Sequence, residues 1–368
     1  MQVPVNDLAR GIADDRADID RALSSVLDGG WLIHGAQHVA FEAEFAAFLG
    51  SQHVIGVGNG TDALTIALRA VGVSPGDRVC TVANAGFYTS SACLQLGAIP
   101  VYVDVDAARL GMDPTRLSAA LRHEPSAVVV THLYGGMADV EAIAELCLEH
   151  GIPLIEDCAQ ATGARTTSGR AAGTIGALGT FSFYPTKNLA ALGDGGAIST
   201  ADDVLAERCR ELRQYGWRTR YAVGRAGFNS RLDELQAAVL RGRLAALDAR
   251  NERRRQVCRE YNSAITGHPE IRPATWDGSD HVGHLAVIRW QNRERLQAHL
   301  EAVGIGTAVH YPIADDAQPI WEATDLTMVR DDLAETRRAT HEVLSLPCFP
   351  ELEVDEIQFV AETLAAFS

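Results

Sequence analysis

The stretch Thr180-Phe-Ser-Phe-Tyr-Pro-Thr-Lys187-Asn-Leu-Ala-Ala-Leu-Gly-Asp-Gly-Gly196 places one lysine between an apolar, strand-like run and a glycine-rich segment. No other lysine occurs for many residues on either side. A lysine is ordinarily a surface residue, but the aromatic residues that precede this one favour a buried setting. A buried amine that is denied its full positive charge is a nucleophile toward aldehydes, with which it forms a Schiff base.

A carboxylate stands thirty residues upstream, where the apolar run Ile152-Pro-Leu-Ile-Glu-Asp157 ends. Ligands of doubly wound sheets gather at the carboxyl ends of strands, although Asp157 could instead cap the next turn. A Schiff-base lysine and an acid that protonates a pyridine nitrogen are the groups that pyridoxal phosphate needs. The sequence therefore predicts a pyridoxal phosphate enzyme with Lys187 and Asp157 in its site. Gln160 is placed to reach the phenolic oxygen of the same cofactor.

A glycine-rich turn, Gly56-Val-Gly-Asn-Gly-Thr61, follows one strand and opens a helix. Free N–H groups and the dipole at a helix N-terminus bind phosphate, which favours a phosphate site here. A dinucleotide fingerprint would need glycine at position 61, so a nicotinamide dehydrogenase is a weak alternative, and a plain turn is another. The hydroxyl of Ser182 could join a phosphate site or bond to backbone.

Bulk composition excludes several classes of partner. The chain has 368 residues, 47% of them hydrophobic, and a net charge of −16, which argues against nucleic acid or anionic membranes. Arginines cluster only at 250–259, where flanking acids favour a solvated helix face. Seven dispersed cysteines, no signal peptide and no long apolar run indicate a cytoplasmic protein.

Short apolar strands alternate with helical patterns over the first two thirds of the chain, which predicts an α/β fold with a mostly parallel sheet. The strands are expected at 54–57, 78–82, 99–103, 127–131 and 153–156. One long charged helix is expected from 232 to about 265. A domain boundary within it gives a large cofactor-binding domain, 1–250, and a small C-terminal domain, 251–368.

Several motifs together resemble the DegT/DnrJ-type nucleotide-sugar aminotransferases, a branch of the fold type I (aspartate aminotransferase-like) pyridoxal phosphate enzymes. The resemblance runs nearly end to end. It implies a three-layer fold with a mostly parallel central sheet and a smaller C-terminal α+β domain. The motifs that carry it are Gly58-Asn-Gly-Thr-Asp-Ala-Leu64, Glu156-Asp-Cys-Ala-Gln-Ala161, Ser182-Phe-Tyr-Pro-Thr-Lys-Asn188, Asn229-Ser-Arg-Leu-Asp-Glu-Leu-Gln-Ala237 and His310-Tyr-Pro312.

The resemblance also assigns roles to single residues. It implies that Lys187 holds the cofactor and moves the substrate proton, with pyridoxamine phosphate as the alternate cofactor form. It further implies an obligate homodimer with shared active sites, because Asn229 matches a residue that reaches the neighbouring subunit's phosphate. The remaining expected contacts are Asp157 with the pyridine nitrogen, Gln160 with the phenolic oxygen, Gly60, Thr61 and Ser182 with phosphate, and His310 and Tyr311 with the sugar-nucleotide pocket. No metal ligands are predicted.

One segment departs from the family pattern. Relatives commonly carry an aromatic residue that stacks on the pyridine ring, but Val82-Ala-Asn-Ala-Gly86-Phe-Tyr88 places Gly86 there. A local shift could bring Phe87 or Tyr88 into this position, and we expect Phe87 to supply the ring.

The resemblance implies an aminotransferase that moves an amino group from L-glutamate to a nucleotide-linked keto sugar. The expected acceptor is a dTDP-4-keto-6-deoxyhexose or a 3-keto relative, used in deoxyamino-sugar and antibiotic biosynthesis, and the overall resemblance favours the 4-keto sugar. The alternatives are a sugar dehydratase of the same fold and a non-catalytic regulatory homologue. Relatives that act as dehydratases replace the lysine with histidine, so Lys187 favours transamination.

Overall fold

The computed structural model describes residues 1–367, in which fourteen α-helices surround two main sheets. The strands are β1 (His53–Val57), β2 (Arg78–Val82), β3 (Ile99–Val103), β4 (Ala127–Thr131), β5 (Leu154–Asp157), β6 (Leu178–Ser182), β7 (Gly196–Thr200), β8 (Trp217–Thr219), β9 (Ala222–Val223), β10 (Arg272–Pro273), β11 (Ala286–Arg289), β12 (Val329–Arg330) and β13 (Val343–Leu346). The helices are α1 (Leu8–Asp14), α2 (Arg16–Gly29), α3 (Ala36–Leu49), α4 (Gly60–Ala70), α5 (Tyr88–Gln95), α6 (Pro114–Ala120), α7 (Val140–Glu149), α8 (Asp203–Arg213), α9 (Glu234–Leu244), α10 (Leu247–Ala264), α11 (Arg293–Ala302), α12 (Ile320–Ala323), α13 (Ala334–Glu342) and α14 (Val354–Ala366).

The larger sheet has eight strands in the order β1-β7-β6-β5-β4-β2-β3-β12. Strand β7 runs antiparallel to both of its neighbours, β1 and β6, whereas every pairing from β6 to β12 is parallel. The five strands expected at the start of the chain are confirmed to within one residue. Because parallel strands end at the same edge, this topology brings the residues after β4, β5 and β6 together.

Helices cover both faces of this sheet, so successive residues of one strand are buried on opposite sides. Val128 and Val130 of β4 belong to one buried apolar cluster, with Phe41 and Phe45, while Val129 belongs to the other. Strands buried on both faces read as continuous apolar runs, which is how β4 reads in the sequence. The predicted α/β class, with three layers around a mostly parallel sheet, is confirmed.

A second sheet lies in the C-terminal third, where β10, β11 and β13 pair antiparallel. It has its own buried cluster, which includes Val257, Ile288 and Val360 and also the N-terminal Val3. Strand β12, by contrast, joins the edge of the large sheet beside β3. The C-terminal third of the chain therefore contributes to both sheets.

The prediction of one long helix from 232 to 265 is wrong. The chain forms α9 and α10 instead, separated at Ala245 and Ala246. The two helices have different partners, since α9 packs against α2 and α3 while α10 packs against α14 and β11. The break therefore separates two helices that pack against different elements.

Across residues 1–367, no helix combines the length and the apolar content needed to cross a membrane.

Candidate active site

A cavity of about 660 Å³ lies where β5 and β6 end and α4 begins. It brings together residues that are far apart in the sequence, because the sheet topology gathers these strand ends at one edge. Eight of the residues singled out from the sequence line it: Gly60, Thr61, Asp157, Gln160, Ser182, Lys187, His310 and Tyr311. Phe87 and Asn229 lie elsewhere.

Lys187 is the only lysine in the chain; the other basic side chains are arginines and histidines. It follows β6 in a turn closed by a hydrogen bond from its backbone N–H to Tyr184 O (2.8 Å). Burial of the amine lowers the pKa of Lys187 to about 8, while the charge of Asp157 partly opposes that change. A substantial neutral fraction near physiological pH is what a Schiff-base nucleophile requires.

Asp157 ends β5 and is 4% exposed. Burial raises the pKa of this carboxyl, and the Ala159 N–H (3.1 Å to Oδ1), Lys187 and His132 oppose the rise. Asp157 is therefore a buried carboxyl with a perturbed pKa at a strand end of the cavity, which makes it a candidate functional group.

A second buried carboxylate, Glu156, lies on the other side of β5 and has a structural role. His132 Nδ1 accepts from the Ala138 N–H (3.2 Å), so its Nε2 carries the proton and donates to Glu156 (3.0 Å). Both oxygens of Glu156 also accept backbone N–H groups from residues 173–176. Burial disfavours the charged form, but these donors outweigh it and lower the pKa of Glu156. The pair anchors this loop beneath the cavity.

One end of the cavity is formed by the first turn of α4, and this end suits a phosphate group. The first N–H groups of a helix have no partner within it, and Asn59 Oδ1 accepts only one of them, from Asp62 (2.8 Å). A Cβ atom at Gly60 would lie 2.6 Å from Ser182 Cβ, so only glycine lets the Ser182 side chain approach the helix this closely. Backbone donors, a hydroxyl and a helix dipole together fit a phosphate group.

Hydrogen bonds fix the orientation of the Gln160 amide. Its Oε1 accepts from the Tyr134 N–H (2.6 Å), so Nε2 is the atom that meets the Tyr311 hydroxyl (3.1 Å). The Tyr134 hydroxyl donates in turn to His310 O (2.5 Å). These contacts tie the 310–311 segment to the wall that carries Gln160, and both line the same cavity as Asp157.

Phe87, the residue expected to supply the ring over the cofactor, lies outside the cavity and packs its ring against Trp321, with centroids 5.8 Å apart. Tyr88 lines the cavity instead, with its ring 6.2 Å from that of Tyr311. A Cβ atom at Gly86 would lie 2.8 Å from the Tyr311 ring, so the missing side chain makes room for that tyrosine.

Asn229 is exposed and pairs with Gln214 through an isolated β-bridge. It lies at the base of an aromatic hairpin, formed by β8 and β9, in which Tyr215, Trp217 and Tyr221 contact in series with centroids 5.3 and 5.2 Å apart. The residue does not line the cavity of its own chain.

Some neighbouring residues were not anticipated from the sequence. His284 lines the cavity, and Asn188 and Asp315 support its walls. The interpretation of the arginine cluster as a solvated face is wrong for Arg254, which is 5% exposed and donates to Cys348 O (2.7 Å). His284, Asp315 and Arg254 approach the site only through the tertiary fold, so local sequence patterns carried no signal for them. Asn188 directly follows Lys187, but its contact with His284 is likewise tertiary.

A buried lysine, a carboxylate at the neighbouring strand end and a phosphate-binding helix start define a Schiff-base cofactor site of the pyridoxal phosphate type. A profile of the DegT/DnrJ/EryC1/StrS aminotransferase family matches residues 13–365, and the chain belongs to this family. The aminotransferases of this family depend on pyridoxal phosphate. The residues present here fit that cofactor.

Individual relatives are similar along their whole length. A dTDP-3-amino-3,4,6-trideoxy-alpha-D-glucose transaminase of Streptomyces venezuelae is 42% identical over 96% of this chain and 92% of its own. A "pleiotropic regulatory protein" of Geobacillus stearothermophilus is 42% identical over 100% of this chain and 99% of its own. Among solved structures, S. venezuelae DesV in complex with a ketimine intermediate superposes with a TM-score of 0.94 at 40% identity, covering 99% of this chain and 98% of that one.

Proposed function

We propose that this protein moves an amino group from L-glutamate to the ketone of a nucleotide-linked 3-keto deoxysugar. The observation that carries the proposal is the single lysine, whose amine is made partly neutral by burial, beside Asp157 in a cavity with a phosphate-binding end. Together with the family membership, this arrangement supports catalysis by transamination.

Residues of the cavity would hold pyridoxal phosphate as follows. The N–H groups at Gly60 and Thr61 and the hydroxyl of Ser182 would bind its phosphate. Gln160 Nε2 would donate to its phenolic oxygen, Asp157 would pair with its ring nitrogen, and Tyr88, which lines the cavity, would supply an aromatic ring beside it. When bound, the cofactor serves as an electron sink for the carbon that carries the amine.

Lys187 would move the substrate proton, taking it from one carbon and returning it to another. A pKa near 8 leaves part of its amine neutral and suits both transfers at physiological pH. Asp157, a buried carboxyl at the end of β5, would be the charge partner of the ring nitrogen.

The position of amination is proposed as C3. The sequence alone suggested a 4-keto sugar, but the S. venezuelae relative is named for a 3-amino product. That relative covers nearly the whole chain at 42% identity, which supports a similar acceptor here. His310 and Tyr311 line the cavity and are proposed to contact the sugar nucleotide.

We further propose a cytoplasmic homodimer with shared active sites that serves deoxyamino-sugar biosynthesis, including that of antibiotics. Asn229 is exposed, lies outside its own cavity and adjoins an aromatic hairpin, which supports a role in the neighbouring subunit's site.

The test is the absorption spectrum of the protein loaded with pyridoxal phosphate, before and after L-glutamate is added. Glutamate should shift the visible band into the ultraviolet, and a nucleotide-linked 3-keto sugar should restore it, because the two half-reactions interconvert the cofactor forms. The control is Lys187→Ala, which should show neither change. A normal turnover rate in that variant would disprove the mechanism.

The regulatory name of the Geobacillus relative favours a second candidate, a non-catalytic regulator. This candidate would be supported if the protein loaded with pyridoxal phosphate showed no absorption change with any amino donor or keto sugar. A dehydratase would instead release water from the sugar without consuming glutamate.

A further inference from the structure

The imidazole of His284 forms part of the cavity wall and has no role in the proposal above. The residue is 5% exposed, and it lines the cavity together with Lys187 and His310. A buried imidazole at such a place is either a satisfied structural group or a group that meets the ligand. The hydrogen bonds of its two ring nitrogens decide between these roles.

A chain of amides fixes which ring nitrogen carries the proton. Asn251 Nδ2 donates to Thr162 O (3.0 Å), so Asn251 Oδ1 must accept from Asn188 Nδ2 (2.7 Å). Asn188 Nδ2 also donates to Val282 O (3.1 Å), which can only accept. Asn188 Oδ1 is therefore an acceptor, and His284 Nδ1, 2.9 Å away, must donate to it.

The other nitrogen, Nε2, is consequently an acceptor with a free lone pair when the ring is neutral. Within residues 1–367, no hydrogen bond to this atom is formed, and the side chain lines the cavity. Burial, followed by nearby positive charge, lowers the pKa of His284 well below its usual value, so the ring is neutral. The titratable and charged groups that face it are Lys187, Arg254, His310 and His281.

The backbone around His284 cannot shift readily. Arg254 Nη1 donates to His284 O (3.3 Å), and the Val282 N–H donates to Gly135 O (2.9 Å). Gly135 packs so closely that a Cβ atom there would lie 2.7 Å from His284 N. The imidazole is thus held in place at its backbone and at Nδ1, which leaves Nε2 in a fixed position.

We propose that His284 Nε2 accepts a hydrogen bond from a hydroxyl group of the sugar substrate, with Asn188 and Asn251 as positioning residues that fix its tautomer. This inference rests on the proposed function. A lone pair in a buried wall repels carboxylate and phosphate oxygens and pairs only with an O–H or N–H donor. Sugars present several such donors, whereas glutamate presents mainly carboxylates and one ammonium.

The first experiment tests the tautomer without reference to activity. The protein is labelled with ¹⁵N-histidine, and the signals of His284 are assigned by their loss in His284→Gln. From about pH 8 to about pH 6, Nδ1 should remain protonated and Nε2 unprotonated. A proton on Nε2 within that range would overturn the proposal, whether or not the protein is an aminotransferase.

The second experiment separates the two half-reactions by single-turnover absorption measurements. His284→Phe keeps a ring of similar size but has no acceptor, and should lower kcat/KM for the keto sugar by about 10-fold to about 100-fold. The glutamate half-reaction should change by less than about 3-fold. His284→Gln supplies both a donor for Asn188 and an acceptor for the sugar, so it should recover part of the loss.

In this second experiment, two results would overturn the proposal. Equal losses in both half-reactions would mean that His284 acts on Lys187 or on the cofactor, and an unchanged sugar half-reaction would mean that Nε2 meets no substrate. Failure of the proposed function is distinct, because the wild-type protein would then show no glutamate half-reaction at all.

Discussion

At the scale of single residues, Lys187 determines the chemistry because burial makes its amine partly neutral. Since it is the only lysine, ¹⁵N-lysine labelling gives one side-chain signal that needs no assignment. We expect this signal to titrate with a midpoint of about 8 in the cofactor-free protein, and near the ordinary value of 10.5 in denaturant. A midpoint close to 10.5 in the folded protein would contradict the buried, partly neutral amine.

The lowered pKa of Lys187 also predicts that the free energy of unfolding depends on pH. The folded protein releases the Lys187 proton at lower pH than the unfolded chain does. The Lys187 contribution to the free energy of unfolding therefore increases with pH from about 8 to about 10.5.

Gly60 gives a second prediction at this scale. Gly60→Ala places a methyl group 2.6 Å from Ser182 Cβ, which must displace the serine from the start of α4. We expect the affinity for pyridoxal phosphate to fall about 10-fold or more, measured by absorption titration. Gly242→Ala in α9 is the matched control, because a Cβ atom there meets nothing within 4 Å. Equal affinities in the two variants would argue against this phosphate site.

Sequence reasoning identified the residues of the cavity that carry a local pattern. Lys187, Asp157 and the turn before α4 stand at strand ends, where the apolar run and its polar terminus are adjacent in the chain. Gln160 was expected from its place just after Asp157, the 310–311 pair followed from family resemblance, and the cavity includes all three residues. His284 had no such signal, because its importance depends on Asn188, 96 residues away in the chain.

At the scale of elements, one carboxylate joins two loops of the cavity wall. Asp315 follows the 310–311 segment and caps the start of α5 from a distant part of the chain. Its oxygens accept from the Phe87 N–H (2.9 Å) and the Ser90 hydroxyl (2.7 Å), and its own N–H donates to Ala83 O (2.7 Å). This contact holds Tyr88, the first residue of α5, at the cavity.

Burial raises the pKa of Asp315 to about 7. The folded protein therefore holds this proton to higher pH than the unfolded chain, and the stability it contributes is lost as pH rises through about 7. Between about pH 5 and about pH 8, the wild type should lose about 2 to 3 kcal/mol of unfolding free energy relative to Asp315→Asn. Denaturant titrations at both pH values measure this difference.

Asp315→Ala serves as the comparison. It leaves the Phe87 N–H without its partner, so it should be less stable than Asp315→Asn at both pH values. If the two variants were equally stable, the carboxylate would not be capping α5.

Local patterns predicted element positions well and element partners less well. Strands β1 to β5 matched because each contains a short apolar stretch between turns. The break between α9 and α10 was missed because both segments are strong helix formers, and the local pattern does not show that their tertiary partners differ. Strand β12, of two residues, is fixed by pairing with β3 and has no pattern of its own.

At the start of α5, the sequence pattern did not determine which of two aromatic residues faces the cavity. Two adjacent aromatic residues could each face the cavity, and Phe87 adopts a left-handed backbone conformation (φ 71°). That conformation, together with the capping bond to Asp315, sends Phe87 toward Trp321 and leaves Tyr88 at the cavity. Sequence spacing alone could not distinguish the two residues.

At the scale of the whole molecule, the proposed shared sites predict complementation between two inactive variants. Lys187→Ala and Asn229→Ala subunits, unfolded together and refolded, should give mixed dimers in which one of the two sites has both residues. At equal amounts, about a quarter of the wild-type activity should return. Lys187→Ala mixed with Asp157→Ala is the control: these two residues of a site come from the same chain, so each site of the mixed dimer lacks one of them and no activity should return. The absence of recovery in the first mixture would mean that each site belongs to one chain.

Because the chain has a single lysine, cleavage by a lysine-specific protease reports how often the active site opens. A protease that cuts only after lysine has one possible site in the whole chain, between Lys187 and Asn188, and would release fragments 1–187 and 188–368. Because that bond lies in the wall of a buried cavity, the folded protein resists cleavage until the region opens. The rate of this one cut therefore measures how often the site opens, and any ligand that closes the cavity slows it.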